Sequence, residues 1–282
     1  GVFDSGVGGL TVLNALRRAL PFENFIYLGD TARVPYGGKP LEMVRDFAAE
    51  IAALLLARGV KGLVIACNTA SAAALPGLAD SLPVPVWGVV EPGVTAALRV
   101  AAGGRVAVLG TEGTVRSGAY QSRLEAQGLM TWARACPLFV PIVEEGVSDG
   151  AIARLVAEHY LSDRPRLSAA ILGCTHYPAL KPILREVFGP EVALVDSAEE
   201  TAAVVAGDLA RLGLGRPAGA GTAGHGWVRH LVSGDLPSYL HTAGRLGAPA
   251  GAAERVRLGQ GRGHEAEPTA AEHQADHRHA RL

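Results

Sequence analysis

A chain of 282 residues, 49% of them hydrophobic, is long and apolar enough to bury one or two cores without disulfide staples. Its 26 basic and 27 acidic residues leave a formal net charge of -1, which argues against nucleic acid or a membrane surface as a partner. The longest apolar stretch, 51–66, is broken by Arg58 and Lys61 and falls short of the roughly 18 residues that a membrane-spanning helix needs.

No secretory signal opens the chain, so the cytoplasm is the expected compartment. Gly1 already stands inside a strand-like run, and a few residues are expected to precede it. From there, short apolar runs alternate with longer amphipathic stretches. The run ending at Asp4 leads into a helical pattern at 10–20. A strand at 25–28, a helix at 41–58 and strands at 63–66 and 86–90 follow. Next come a helix at 94–101, a strand at 106–109 and helices at 115–127 and 152–161. The pattern closes with a strand at 169–172, a helix at 179–187, a strand at 192–195, a helix at 199–212 and a late strand at 227–232. The strand runs mostly lack polar alternation, as strands covered on both faces do, and their alternation with helices predicts an α/β fold with parallel sheets.

Two echoes suggest that the unit occurs twice. Val64-Ile65-Ala66-Cys67-Asn68-Thr69 is repeated as Ile171-Leu172-Gly173-Cys174-Thr175-His176, and Asp4-Ser5 as Asp196-Ser197. The expected architecture is two pseudo-symmetric domains, each delivering one cysteine to a shared cleft. Residues 1–92 with 197–246 would form a discontinuous first domain and residues 93–196 the second, with a hinge near Glu91-Pro92-Gly93. Residues 247–282 lose all apolar period and read as a disordered tail. Its crowded His264, His273, His277 and His279 are weaker grounds for a metal-binding tract.

Three cysteines in a chain without an export signal argue against a disulfide framework, and the absence of a C-x-x-C pair argues against a structural zinc. Cys136 reads as a small core residue. Cys67 and Cys174 would read the same way singly, but both stand where ligands bind in open α/β sheets, just past the carboxyl ends of strands. So do Asp4-Ser5-Gly6-Val7-Gly8-Gly9 and the segment 30–38. The glycine loop misses the dinucleotide pattern, because Thr11 stands at the third glycine position, and no Walker lysine follows. It can still offer backbone N–H groups to a carboxylate.

Two thiols in one cleft suit inversion at carbon: a thiolate takes a Cα proton from one face and a thiol returns one to the other. Asn68, Thr69 and Thr175 would hold the substrate carboxylates and stabilise the carbanion. Asp4 could serve Cys67, and His176 could serve Cys174. Pyridoxal phosphate would need a Schiff-base lysine, and Lys39, Lys61 and Lys181 follow no cofactor motif, so no cofactor and no metal are expected.

At these residues the sequence resembles the glutamate racemase family. The matching segments, in order, begin at Asp4-Ser5-Gly6-Val7-Gly8-Gly9-Leu10 and Asp30-Thr31-Ala32-Arg33-Val34-Pro35-Tyr36-Gly37. They continue with Ala66-Cys67-Asn68-Thr69-Ala70, Val140-Pro141-Ile142-Val143-Glu144-Glu145-Gly146 and Gly173-Cys174-Thr175-His176-Tyr177-Pro178. The resemblance covers about residues 1–245 and not the tail. It implies Cys67 and Cys174 as the acid/base pair, and substrate binding at Asp4, Ser5, Tyr36, Gly37, Asn68, Thr69, Thr175 and His176. It also implies support from Glu144, which the residues alone would leave as a solvated loop carboxylate. Glutamate as substrate, D-glutamate for peptidoglycan and a homodimer are further implications. Two alternatives stand beside it. One is an aspartate-specific relative, in which an acidic residue tends to replace His176; the other is a binding protein on the same scaffold without catalysis.

Overall fold

The computed structural model describes residues 1–217, 225–246 and 253–259. The first sheet is built from β1 (Val2–Asp4), β2 (Phe25–Gly29), β3 (Leu63–Ile65), β4 (Val86–Gly88), β9 (Val228–Val232) and β10 (Ala253–Arg255) in the order β10-β9-β2-β1-β3-β4. The second is built from β5 (Arg105–Gly110), β6 (Met130–Ala135), β7 (Ala169–Gly173) and β8 (Ala193–Val195) in the order β6-β5-β7-β8. Every pairing is parallel. This requires crossover connections and leaves both faces covered, so β2 and β7 are buried at all five positions.

In the first domain, α1 (Leu10–Ala19) and α10 (Ala198–Arg211) cover one face. Leu10, Leu13 and Leu16 share a core with Ala202, Val205 and Leu209. The other face is covered by α2 (Leu41–Ala57) and α3 (Asn68–Ser81), through Val44, Ile51, Leu55 and Leu78. In the second domain, α4 (Val90–Val100) and α6 (Ala119–Ala126) take one face, while α7 (Phe139–Glu144), α8 (Gly150–Leu161) and α9 (Lys181–Phe188) take the other. A short helix α5 (Glu112–Ser117) follows β5, and α11 (Leu236–Arg245) follows β9.

The duplication is legible in the strand orders. β2-β1-β3-β4 and β6-β5-β7-β8 are the same path, second-first-third-fourth. Cys67 follows β3 and Cys174 follows β7, so the cysteine echo marks equivalent positions. The Asp-Ser echo does not: Asp4 ends β1, whereas Asp196 follows β8, the counterpart of β4.

Several expected boundaries move. The strand expected at 86–90 stops at Gly88, and Glu91-Pro92-Gly93 lies in the first turn of α4, with Pro92 where a missing N–H costs nothing. The helix expected at 115–127 is split at Gly118, whose φ of 67° only glycine adopts cheaply. The expectation of a disordered tail from residue 247 is corrected for part of its length. Ala253–Arg255 pair with His230–Val232 as β10, and Val256 is buried against the first core. The four tail histidines lie outside the described residues. Among the described residues no helix is long and apolar enough to cross a membrane.

Candidate active site

Cys67 occupies the N-cap of α3 in an extended conformation (φ -66°, ψ 124°), and its sulfur accepts the Ala70 N–H at 3.4 Å. Burial, reinforced by the nearby Asp4 charge, pushes the thiol up to about 12, against the pull of the Ala70 N–H. This environment favours the uncharged thiol of Cys67 at neutral pH.

Cys174 sits at the end of β7, with its sulfur 3.8 Å from Nδ1 of His176. Nε2 of His176 is 3.0 Å from Oε1 of Glu144, the last residue of α7. Burial pulls the imidazole toward its neutral form, but the contacts with Cys174 and Glu144 outweigh it and raise His176 to about 10. Both contacts favour the imidazolium, which can direct one N–H to each neighbour.

Asp4 is fully buried. Its carboxylate accepts the Gly6 N–H at 3.0 Å and the Thr175 hydroxyl at 3.4 Å. Burial raises its pKa, while the His176 charge works the other way. Asp4 thus reaches across to the second domain through Thr175, and acts on Cys67 through its charge.

The glycine loop is more than a tight turn. A Cβ at Gly8 would lie 2.3 Å from Oγ1 of Thr175 and 2.6 Å from Nδ1 of His176, and one at Gly9 would lie 2.5 Å from Cβ of Asp4. Only glycine lets this loop of the first domain pass against the Cys174-Thr175-His176 turn of the second.

The opposite wall is a hydroxyl cluster. Oγ1 of Thr69 lies 2.8 Å from Thr111 and 3.1 Å from Thr114 across the domain boundary. Tyr120 donates to Oδ1 of Asn68 at 2.7 Å, which leaves the Asn68 NH2 as that side chain's remaining donor. Gly37 carries a backbone bridge, its carbonyl accepting the Gly113 N–H at 2.7 Å. The Tyr36 hydroxyl is committed to Asp30, whose carboxylate also takes Arg33 Nε and the Ser233 hydroxyl, each at 2.6 Å. Tyr36 therefore offers the site its ring rather than its hydroxyl. The Val34–Pro35 peptide just before it is cis.

Ser5, Tyr36, Gly37, Cys67, Asn68, Thr69, Cys174, Thr175 and His176 all line one cavity. It encloses about 30 Å³, room for a water or two. Asp4 stands behind Thr175, and Glu144 lines an adjoining crevice of about 160 Å³ instead. A larger cavity, of about 280 Å³ around Gly1, Lys61 and Trp87, lies at the amino ends of the first sheet's strands. It contains no cysteine, and ligands of open parallel sheets bind at the opposite end, so the smaller one is the candidate active site. No group of three His, Cys, Asp or Glu side chains placed to hold a metal ion together occurs among the described residues.

Thr111 and Val140 also line the cavity and were not expected from sequence. The register shows how Thr111 could have been found. Phe3 pairs with Ile65, which brings Ser5 level with Cys67, and Gly110 pairs with Gly173, which brings Thr111 level with Cys174. Thr111 is the second domain's counterpart of Ser5. Val140 gives no such signal.

Comparison with known proteins places this arrangement. The Asp/Glu/Hydantoin racemase family matches residues 9–205. The chain is 58% identical over 260 residues to a glutamate racemase of Thermus thermophilus, covering 92% of this chain and 96% of that protein. It superposes on the crystal structure of glutamate racemase from Thermus thermophilus in complex with β-chloro-D-alanine with a TM-score of 0.84 and 57% identity, over 91% of this chain and 96% of that one. Glutamate racemase from Francisella tularensis in complex with D-glutamate gives a TM-score of 0.83 at 33% identity, over 91% and 96%. The two-domain α/β architecture and the family resemblance carried by the cysteine motifs are both borne out. The chain belongs to the Asp/Glu/Hydantoin racemase family and is an amino-acid racemase.

Proposed function

We propose that this chain interconverts L- and D-glutamate without a cofactor, with Cys67 and Cys174 as paired acid and base. The observation that carries the reading is the equivalence of the two thiols. They end corresponding strands of two sheets and face one cavity. Racemisation needs this arrangement, since the proton leaves one face of Cα and returns to the other. The base must enter the step as a thiolate and the acid as a thiol, and the two exchange roles for the other enantiomer. The Asn68 amide and the Thr69 hydroxyl supply donors for the carboxylates, joined by the Thr175 hydroxyl once it turns from its long contact with Asp4, and they stabilise the carbanion as its charge moves onto the α-carboxylate. Asp4 acts on Cys67 through its charge, His176 is the partner of Cys174, and Glu144 steadies His176.

Glutamate as the substrate rests on the relatives, which carry the name glutamate racemase, one of them with D-glutamate bound. The same reading makes the product a peptidoglycan precursor and places the protein in the cytoplasm. It also makes the protein a homodimer, and Ile152 and Leu155, exposed on α8, offer an apolar surface for that contact. Incubation with glutamate or aspartate in heavy water, without added cofactor, tests the proposal. Deuterium should enter Cα of glutamate. No uptake would end the enzymatic reading, and faster uptake into aspartate would reassign the substrate.

A further inference from the structure

The C-terminal end of α11 belongs to the first domain but reaches the second. Nη1 of Arg245 donates to the backbone carbonyl of Glu144 at 3.0 Å. The same side chain packs along Gly146, where a Cβ would lie 3.7 Å from Cδ, Nε and Cζ of Arg245. Gly146 has a φ of 74°, and its N–H returns to the Val143 carbonyl at 3.0 Å, closing the turn that ends α7. The next residue of the first domain, Leu246, packs against the hydrophobic cores of both domains.

This turn carries Glu144, and Glu144 is the contact through which His176 is held. The line runs from the Arg245 guanidinium to the Glu144 backbone, from Oε1 of Glu144 to Nε2 of His176 at 3.0 Å, and from Nδ1 of His176 to the Cys174 sulfur at 3.8 Å. The Glu144 side chain is 34% exposed and borders an open crevice, so its own position packs it only in part. A guanidinium on the last carbonyls of a helix both bonds them and complements the negative end of the helix dipole. Arg245 itself does not line the cavity.

We infer that Arg245, with Leu246, is a positioning residue for the reaction: it clasps the two domains at the Glu144 turn and thereby holds Glu144 against His176, the partner of Cys174. This rests on the two-thiol reading above.

The test is steady-state kinetics in both directions over a pH series, on the parent, Arg245→Ala, Arg245→Lys, Glu144→Gln and the Arg245→Ala/Glu144→Gln double variant. Arg245→Ala should lower kcat about fivefold with little change in KM. It should also move the alkaline limb of the kcat profile to lower pH, because a loosened Glu144 no longer supports the His176 cation. Arg245→Lys, which keeps a donor and a charge, should recover most of the loss. In the Glu144→Gln background Arg245→Ala should add nothing further, since both act on one contact. If the alanine variant does not fold, Arg245→Gln, which keeps most of the stem, takes its place. A lowered melting temperature with the parent's pH profile, or losses that multiply in the double variant, would overturn the clasp as a positioning device. A parent that exchanges no Cα proton without cofactor overturns the two-thiol reading and this inference with it, whereas an active parent with an indifferent Arg245→Ala overturns this inference alone.

Discussion

His176 is the residue where burial and contact oppose each other most directly. Its burial favours the neutral ring, yet Cys174 and Glu144 hold the cation, raising it from an ordinary value of 6.5 to about 10. A folded-state pKa above the unfolded one adds stability that is complete below pH 6.5 and declines as pH rises toward 10. Between pH 6.5 and 8, before free thiols begin to titrate, the urea midpoint of the parent should therefore fall more steeply than that of His176→Gln. Equal slopes would show that the imidazolium is not held. At this scale the sequence was partly readable. The cysteines stood out because their neighbours repeat. Glu144 did not, because its partner lies 32 residues away and only the packing of α7 against the β7 turn brings them together. Tyr36 shows what the resemblance leaves out: it lines the cavity, but its hydroxyl is taken by Asp30.

At the scale of elements, hydrophobic runs located nearly every central strand, because a parallel strand buried on both faces must be apolar throughout. Elements without that signature escaped. Pro76 and Gly77 interrupt the periodicity of α3, so a helix capped by Cys67 itself went unread. β6 is a partly exposed edge strand, with Met130 57% exposed, and carries no apolar run. β10 is three residues long and lies in a stretch rich in alanine, glycine and arginine. Its place beside β9 makes a prediction of its own. Val256→Asp would bury a carboxylate against Leu231 and its neighbours, and should lower unfolding free energy by about 1–3 kcal/mol in urea denaturation. An unchanged midpoint would mean that the strand contributes nothing. The glycine loop gives a second test. Gly8→Ala places a methyl within 2.3 Å of the Thr175 hydroxyl, so it should cut kcat/KM by about tenfold or more while leaving far-ultraviolet circular dichroism unchanged. Wild-type kinetics would show that the two loops do not need their close approach.

At the scale of the whole molecule, the two sheets meet at their carboxyl ends and the domains close over the thiols. The bridges between them include Thr69 to Thr111 and Thr114, Tyr120 to Asn68, Gly37 to Gly113, Asp4 to Thr175, and Arg245 to Glu144. A cavity of about 30 Å³ is too small for glutamate, so its walls must move apart to admit that substrate. A Cβ at Gly113 would lie 2.8 Å from Cγ2 of Thr69 and 3.0 Å from the Gly37 carbonyl, a wedge in the closed boundary. Gly113→Ala should therefore raise the radius of gyration seen by small-angle scattering and lower turnover, and an unaltered profile would argue that the boundary gives way without cost. The duplicated strand order explains how one sequence brings two matched thiols to one cavity, where the proposed mechanism needs them on opposite faces of one carbon. The sharpest test of that claim is racemisation followed by circular dichroism from each enantiomer in Cys67→Ala and Cys174→Ala. Each variant should lose turnover in both directions by about a thousandfold or more while remaining folded. Parent-like racemisation in either one would contradict the paired-thiol mechanism.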